Sequence, residues 1–299
     1  MEGELFDALY DIVQQEAKLR YRRKRVRYSD ALIVLVYFWA VLHDRPVCWA
    51  CDRINWTGEM AWMSLPSAST MSRRLKTFSC WMLIIALYHR LQNSLAPEGA
   101  DLCLCRRIDS KPLVVGGFSK DRDAKRGYAT DGLARGYKLA AAWEKSILPD
   151  ALVVAPLNVS DQQSGMELID RLGENGQAAT GYLLADSIHD TNPLHRHAAE
   201  HSFQLLTPRK KPGTNLGHRD HCPGRLRSIE LLEGPGQFGG RIYALRGQIE
   251  RDFGHLCSFG GGLQPLPSWV RRPRRVARWI IAKLIIRGLR HCQIHGLAA

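Results

Sequence analysis

Three carboxylates stand where acids can work together. Asp109 follows the apolar stretch Leu102 to Ile108, Asp186 follows the short stretch Gly181 to Ala185, and Glu250 lies inside the stretch Ile242 to Leu256, which has helical periodicity. Ligands of open α/β sheets gather at strand ends, so two aspartates placed there and one glutamate from a covering helix can converge. Their donors are hard oxygens with few nitrogens nearby, a set suited to Mg2+ or Mn2+. Two such ions roughly 3.5–4 Å apart can activate an attacking oxygen while stabilising the leaving one, and phosphodiester chemistry fits that arrangement. Tyr243, Arg246 and Glu250 add to it, because spacings of three and four residues put them on one helical face. Arginine offers a planar, two-pronged grip on phosphate, and tyrosine offers stacking or a hydroxyl. Taken singly, each carboxylate is as readily a helix cap or a turn residue, and with 29 acids in the chain a chance trio is cheap.

The elements that must position these residues follow from periodicity. Strands are predicted over Leu102 to Ile108, Gly136 to Trp143 and Ala151 to Leu157, then a helix over Asp161 to Leu172. A strand over Gly181 to Ala185, a helix over Pro193 to His201 and a strand over Phe203 to Thr207 come next. Lys211 to Gly240 is dense in Gly and Pro and reads as loop, and Ile242 to Leu256 reads as the final helix. The order predicts an α/β domain with a mixed sheet flanked by helices over residues 101–293.

Residues 1–100 read differently, as an all-α N-terminal module. Helices are predicted over Ser29 to His43, Pro46 to Asn55 and Pro66 to Phe78, the last opened by Ser67 and Ser69 as candidate caps. The third carries Thr70, Ser72, Arg73, Arg74 and Lys76, which suit a helix that faces phosphates and base edges as in a helix-turn-helix. Forty-two Lys and Arg against 29 Asp and Glu leave a net charge of +13, which points to a polyanionic partner, nucleic acid before an anionic membrane surface. The charge is concentrated between Lys18 and Arg27 and between Arg271 and Arg278, with few acids inside either run. Arg209, Lys210 and Lys211 form a third, smaller group that fits the lip of a DNA path.

At this point a resemblance becomes visible. The stretch IYALRGQIERDFGHL, Ile242 to Leu256, resembles the Tyr-x2-Arg-x3-Glu-x6-Lys signature of bacterial DDE insertion-sequence transposases, with Tyr243, Arg246 and Glu250 at three of its four positions. RIDSKP, Arg107 to Pro112, is similar to that family's first catalytic strand, and LLADSIHDTNPL, Leu183 to Leu194, to the strand carrying its second aspartate, with Asp190 as companion. The matches occur in the family's order, and the resemblance covers roughly residues 100 to 290. The resemblance implies a ribonuclease H-like catalytic domain and two divalent ions, Mg2+ or Mn2+, held by Asp109, Asp186 and Glu250. It also implies hydrolysis at transposon ends followed by strand transfer into target DNA, and a homodimer on paired terminal inverted repeats of double-stranded DNA. Two positions depart from it: Cys257 stands where the signature has Lys, and His189 where members often carry an aromatic residue. The short segment between Lys211 and Gly240 implies a compact member without a large β insertion.

Two other functions stay open at this level, a catalytically inactive sequence-specific DNA-binding descendant and a metal-dependent nuclease that cuts without joining. The longest uncharged apolar run, Ala31 to Leu42, is shorter than the roughly 20 residues that span a bilayer, so no membrane partner is expected and the setting reads as cytoplasmic, nucleoid-associated. Eight cysteines are then expected as thiols. Cys48 and Cys51 have zinc half-site spacing, but no second pair completes the ligand set.

Overall fold

The computed structural model describes residues 2–20, 26–56, 64–96, 104–174, 181–211, 214–217, 220–258, 262–263 and 266–297. The chain forms two compact units, one of residues 1–96 and 258–299 and one of residues 97–257. The sequence reading puts one division at residue 100 and carries the second domain to residue 293. The second boundary differs, because the chain after 257 belongs with the N-terminal helices rather than with the sheet.

In the helical unit, α1 (Glu2–Lys18) precedes α2 (Asp30–Leu42), and α3 (Ala68–Arg74) precedes α4 (Phe78–Ser94). The Ser29 hydroxyl accepts from Leu32 N at 3.1 Å and so caps α2. α2 is apolar on every side and accordingly buried on every side, Leu32 excepted, over Ala31–Leu42. Trp39 stacks on Trp56 at 4.9 Å, and Phe6 of α1 packs edge-on against both. The stretch expected as a second helix, Pro46 to Asn55, instead makes two 3-10 turns, Trp49–Cys51 and Arg53–Asn55. The Asn55 and Trp56 side chains donate to the Trp49 and Ala50 carbonyls and hold these turns short. The expected Pro66 to Phe78 helix is the shorter α3, opened by Ser67, whose hydroxyl accepts from Thr70 N.

The sheet unit holds β1 (Cys105–Val114), β2 (Lys125–Ala129), β3 (Gly132–Trp143), β4 (Ala151–Pro156), β5 (Gly181–Leu184) and β6 (Phe203–Leu206). They form one mixed sheet of order β2-β3-β1-β5-β6, with β4 on β3 beyond the end of β2. β3 runs antiparallel to β1, β2 and β4, while β1, β5 and β6 run parallel. This is the mixed sheet flanked by helices that the motifs imply. Gly136 marks the place where β3 exchanges β2 for β4, and a Cβ there would lie 2.2 Å from Leu113 O, so only glycine lets the strands approach.

Alternation sorts the two faces. Ile108, Ala140, Ala142 and Val153 face α5 (Asp161–Glu174) and α6 (Asn192–Glu200), which close the main core with Leu168, Ile169, Leu172, Leu194 and Ala198. The opposite face carries Asp109 and Trp143. Over it lies α9 (Gln248–Ser258), anchored by Phe253 against Trp143 at 4.8 Å and by the Arg107–Asp252 pair at 3.3 Å. Ile249, Phe253 and Leu256, four and three residues apart, form its buried stripe.

Three expectations change here. The Lys211 to Gly240 segment is not all loop, since it contains α7 (Pro223–Glu233) and the start of α8 (Phe238–Ala244). Ile242 to Leu256 is not one regular helix, because a 3-10 turn at Leu245–Gly247 separates α8 from α9. Nor is it the last: α10 (Pro273–His295) follows, and it packs within the helical unit. There Lys283 pairs with Asp44 at 2.5 Å and Arg278, from the basic run between Arg271 and Arg278, lies over the Tyr37 ring, so both cations are buried.

Candidate active site

The register of β1 against β5 brings the two aspartates level. Arg107 pairs with Leu184 in parallel, so Asp109 and Asp186 each stand two residues beyond the same pair. Asp109 was expected at a strand end; it lies inside β1, opposite Ala141 of β3, but it is past the last residue that pairs with β5. Its side is therefore open where β5 stops. Asp186 begins the turn after β5, and its Oδ1 accepts from Ile188 N at 3.1 Å and meets His189 Nδ1 at 2.7 Å.

The two carboxyls titrate in opposite directions. Burial pushes the Asp109 carboxyl above its ordinary value, the charge of Asp186 pushes it the same way, and the Ser110 N–H and Arg246 oppose them. At Asp186, burial raises and the His189 hydrogen bond and nearby Arg246 lower, and the lowering wins. Like charges side by side with one carboxyl desolvated make a place that favours a cation.

The chain after α7 supplies the rest. Tyr243 at the end of α8 donates its hydroxyl to Ala185 O at 3.1 Å, which ties this segment to the end of β5. Arg246 reaches Asp109 Oδ2 with Nη2 at 3.3 Å and stands 4.0 Å from Glu250 Oε1 with Nη1. Its Nε is buried and meets no hydrogen-bond acceptor among the described residues. Glu250 opens α9, and its side chain is 76% exposed.

Asp109, Asp186, Arg246, Tyr243 and Glu250 thus gather around one end of the sheet. The three carboxylates do not close to ligand distance of one another: among the described residues, the group of three whose donor atoms all lie within 4.8 Å is Asp170, His197 and His201. Arg246 occupies the gap between Asp109 and Glu250. The donor set still fits hard divalent cations, since it is all carboxylate oxygen and includes a desolvated, half-paired Asp109.

Residues that periodicity did not single out brace the site. His189 holds Asp186, with the i to i+3 spacing as its one sequence signal. On the other face, Lys138 and the Ser110 hydroxyl fix Asp161 at 2.8 and 2.5 Å and so pin the start of α5 beside β1.

The basic residues divide. Arg73 and Lys76 on and after α3 are exposed, as are Lys210 and Lys211. Arg74 instead donates to Tyr28 O at 2.8 Å and pairs with Asp30 at 2.5 Å, bracing α3 on α2. Arg209 is held by both oxygens of Glu233, with a third contact to Thr214 O at 2.6 Å. These two therefore serve folding contacts in this structure. Of the run from Lys18 to Arg27, Arg22, Arg23, Lys24 and Arg25 lie outside the described residues.

Among the described residues no helix is long and apolar enough to cross a membrane. Cys48 is exposed and Cys51 half-buried, both are free, and the Cys51 thiol turns to Val47 O.

Compared with known proteins, residues 105–287 match the family model described as "Transposase DDE domain". Among solved structures, the chain is similar to the piggyBac transposase synaptic complex with hairpin DNA, at 13% identity and a TM-score of 0.40, over 98% of this chain and 74% of that one. No curated protein matches.

Proposed function

The chain belongs to the family of transposases with a DDE domain, and from that premise we propose that it cleaves DNA at the ends of a mobile element and joins those ends to target DNA. The observation that supports this most directly is the levelling of Asp109 with Asp186 beside Arg246, at the open end of β5. Asp109, Asp186 and Glu250 would hold the divalent ions, Mg2+ or Mn2+, which when bound activate an attacking oxygen and neutralise charge on the leaving one.

The remaining work falls to the protein's own groups. Arg246 presents a planar fork whose Nε has no acceptor among the described residues, and a phosphate oxygen is the acceptor that fits it. Moving that fork from Asp109 to a DNA phosphate would fix the reacting phosphodiester against the carboxylates. Tyr243, fastened by its hydroxyl to Ala185 O, orients the turn that carries Arg246. Arg73, Lys76, Lys210 and Lys211 are the exposed cations we assign to the DNA backbone, with a homodimer on paired inverted repeats as the working assembly.

The test is incubation of the full chain with Mg2+ and duplex DNA carrying its element's terminal repeats. Nicks together with joined products are expected. Nicks without joining would reassign the protein as a nuclease, and end binding without nicks as an inactive DNA-binding descendant.

A further inference from the structure

On the face of the sheet away from Asp109, His197 of α6, its C-cap His201 and Asp170 of α5 point at one another. His197 Nε2 lies 2.7 Å and His201 Nε2 3.1 Å from the same oxygen, Asp170 Oδ1, and the two imidazole centroids are 4.8 Å apart. We propose that Asp170, His197 and His201 form a transition-metal site, separate from the carboxylate centre and selective for a borderline cation such as Zn2+ over Mg2+.

Four observations carry it. First, all three donor atoms lie within 4.8 Å of one another. A tetrahedral site with metal–ligand bonds near 2.1 Å separates its ligand atoms by roughly 3.4 Å, so the two Asp170–histidine contacts of 2.7 and 3.1 Å must open by several tenths of an ångström, through side-chain rotation, to admit a metal. Second, His197 and His201 are four residues apart, which presents both rings on one face of α6 and its C-terminal cap. Third, the other nitrogen of His197, Nδ1, faces Glu200 Oε2 at 3.6 Å, the outer carboxylate that commonly orients a metal-bound imidazole and leaves its Nε2 to the metal. Fourth, the partner helix has Gly173 where His201 approaches; a Cβ there would lie 3.1 Å from His201 Nδ1, so the missing side chain makes room for the ring.

Two imidazoles and one carboxylate suit Zn2+, Co2+, Ni2+ or Cu2+ and disfavour Mg2+, which demands oxygen ligands in an octahedron. All three ligands are partly exposed, so a fourth position is left to water. A metal there would bridge α5 and α6, the two helices that close the main core, and would stabilise the fold by mass action.

The full-length protein, with Cys48→Ser and Cys51→Ser to remove the two neighbouring thiols, is titrated with Zn2+ by calorimetry and with Co2+ by visible absorption. We expect one tight Zn2+ per chain, a cobalt spectrum without sulfur-to-metal charge transfer, and a thermal midpoint raised by several degrees with Zn2+ but not with Mg2+. Removing a ligand, in His197→Ala or His201→Ala, is expected to weaken Zn2+ by more than the roughly hundredfold that bounds loss of an outer partner, and Glu200→Gln by about tenfold. Asp170→Asn, an isostere that keeps the shape of α5, serves if either histidine variant fails to fold. Affinity unchanged in these variants, lost in Asp109→Asn instead, or absent from the parent protein would overturn the site.

Discussion

Two aspartate–arginine pairs in the sheet unit join residues far apart in sequence, yet they are built differently. Asp190 is almost fully buried and is gripped by both prongs of Arg225, Nε to Oδ1 and Nη2 to Oδ2, each at 2.7 Å, with His195 Nε2 a further 3.5 Å away. Asp109 receives a single 3.3 Å contact from Arg246, whose other terminal nitrogen leans toward exposed Glu250 and whose Nε has no partner among the described residues. The first pair is saturated and has nothing left to offer a ligand. The second is half-made, and unsatisfied donors beside a desolvated carboxylate cost stability unless something binds. Saturation, rather than residue type, separates an ion pair that holds a fold from one poised to act.

The comparison breaks hardest on activity at Asp109. Asp109→Asn keeps the shape and the buried volume but loses the charge, so end cleavage should fall below detection while far-UV circular dichroism and binding to end DNA persist. Asp190→Asn should do the reverse at first order, lowering stability while leaving Asp109, Asp186 and Glu250 in place. Normal cleavage by Asp109→Asn would remove the carboxylate centre from this end of the sheet.

The next effect is on stability at the saturated pair. Removing one partner of a buried ion pair costs about 3–5 kcal/mol, so Arg225→Ala should shift the urea midpoint sharply, whereas Arg246→Ala should shift it little. Acid sharpens the contrast. Although burial raises it, the Asp190 carboxyl is held well below the ordinary carboxylate range by its hydrogen bonds to Arg225 and His195. A depressed folded value means that the stabilisation is present above the ordinary value of 3.8 and is lost as the pH falls toward the folded one. The stability gap between the parent protein and Asp190→Asn should therefore be widest near neutral pH and narrow on acidification to about pH 3. A gap independent of pH would show that packing, not charge, is what Asp190 contributes.

How much of this was legible in the sequence depends on whether a residue's role is set locally. Asp109, Asp186 and Glu250 sit in motifs, and the stretches bearing the two aspartates alternate or run apolar, so the meander, α5 and the parallel strands were readable. α10 was not, because Arg274, Arg275, Arg278, Lys283 and Arg287 interrupt its apolar stripe of Val276, Trp279, Ile280 and Leu284. Burial of Arg278 over Tyr37 and of Lys283 against Asp44 is a tertiary fact with no local signature. The same holds for Arg74 and Arg209, whose acidic partners, Asp30 and Glu233, are 44 and 24 residues away. β2 was missed for a related reason, since Gly127 has low strand propensity but must be small, a Cβ there lying 2.3 Å from Leu157 O.

Arg246→Lys tests the half-made pair at smaller scale. The charge is kept and the fork is lost, and a charge-assisted hydrogen bond of about 1.5–3 kcal/mol corresponds to a rate lowered roughly ten- to a hundredfold. Single-turnover cleavage of pre-bound DNA reads it directly. Near-native rates would mean that Arg246 only neutralises Asp109 and never engages a phosphate.

Tyr243→Phe should have the smallest effect, and it decides what the tyrosine is for. Its hydroxyl is already committed to Ala185 O at 3.1 Å, and burial raises its pKa, so it stays a neutral donor. Losing one neutral hydrogen bond costs about 0.5–1.5 kcal/mol, while the ring and its packing remain. If the hydroxyl only ties the Arg246 turn to the end of β5, the single-turnover rate should drop by no more than about tenfold, and the thermal midpoint should fall with it. A further variant separates tethering from chemistry: Arg246→Lys combined with Tyr243→Phe should lose little beyond Arg246→Lys alone, because both act through the placement of one guanidinium. A hundredfold loss from Tyr243→Phe alone, with the midpoint unchanged, would put the hydroxyl on the reacting phosphate and would require it to leave Ala185 when DNA binds.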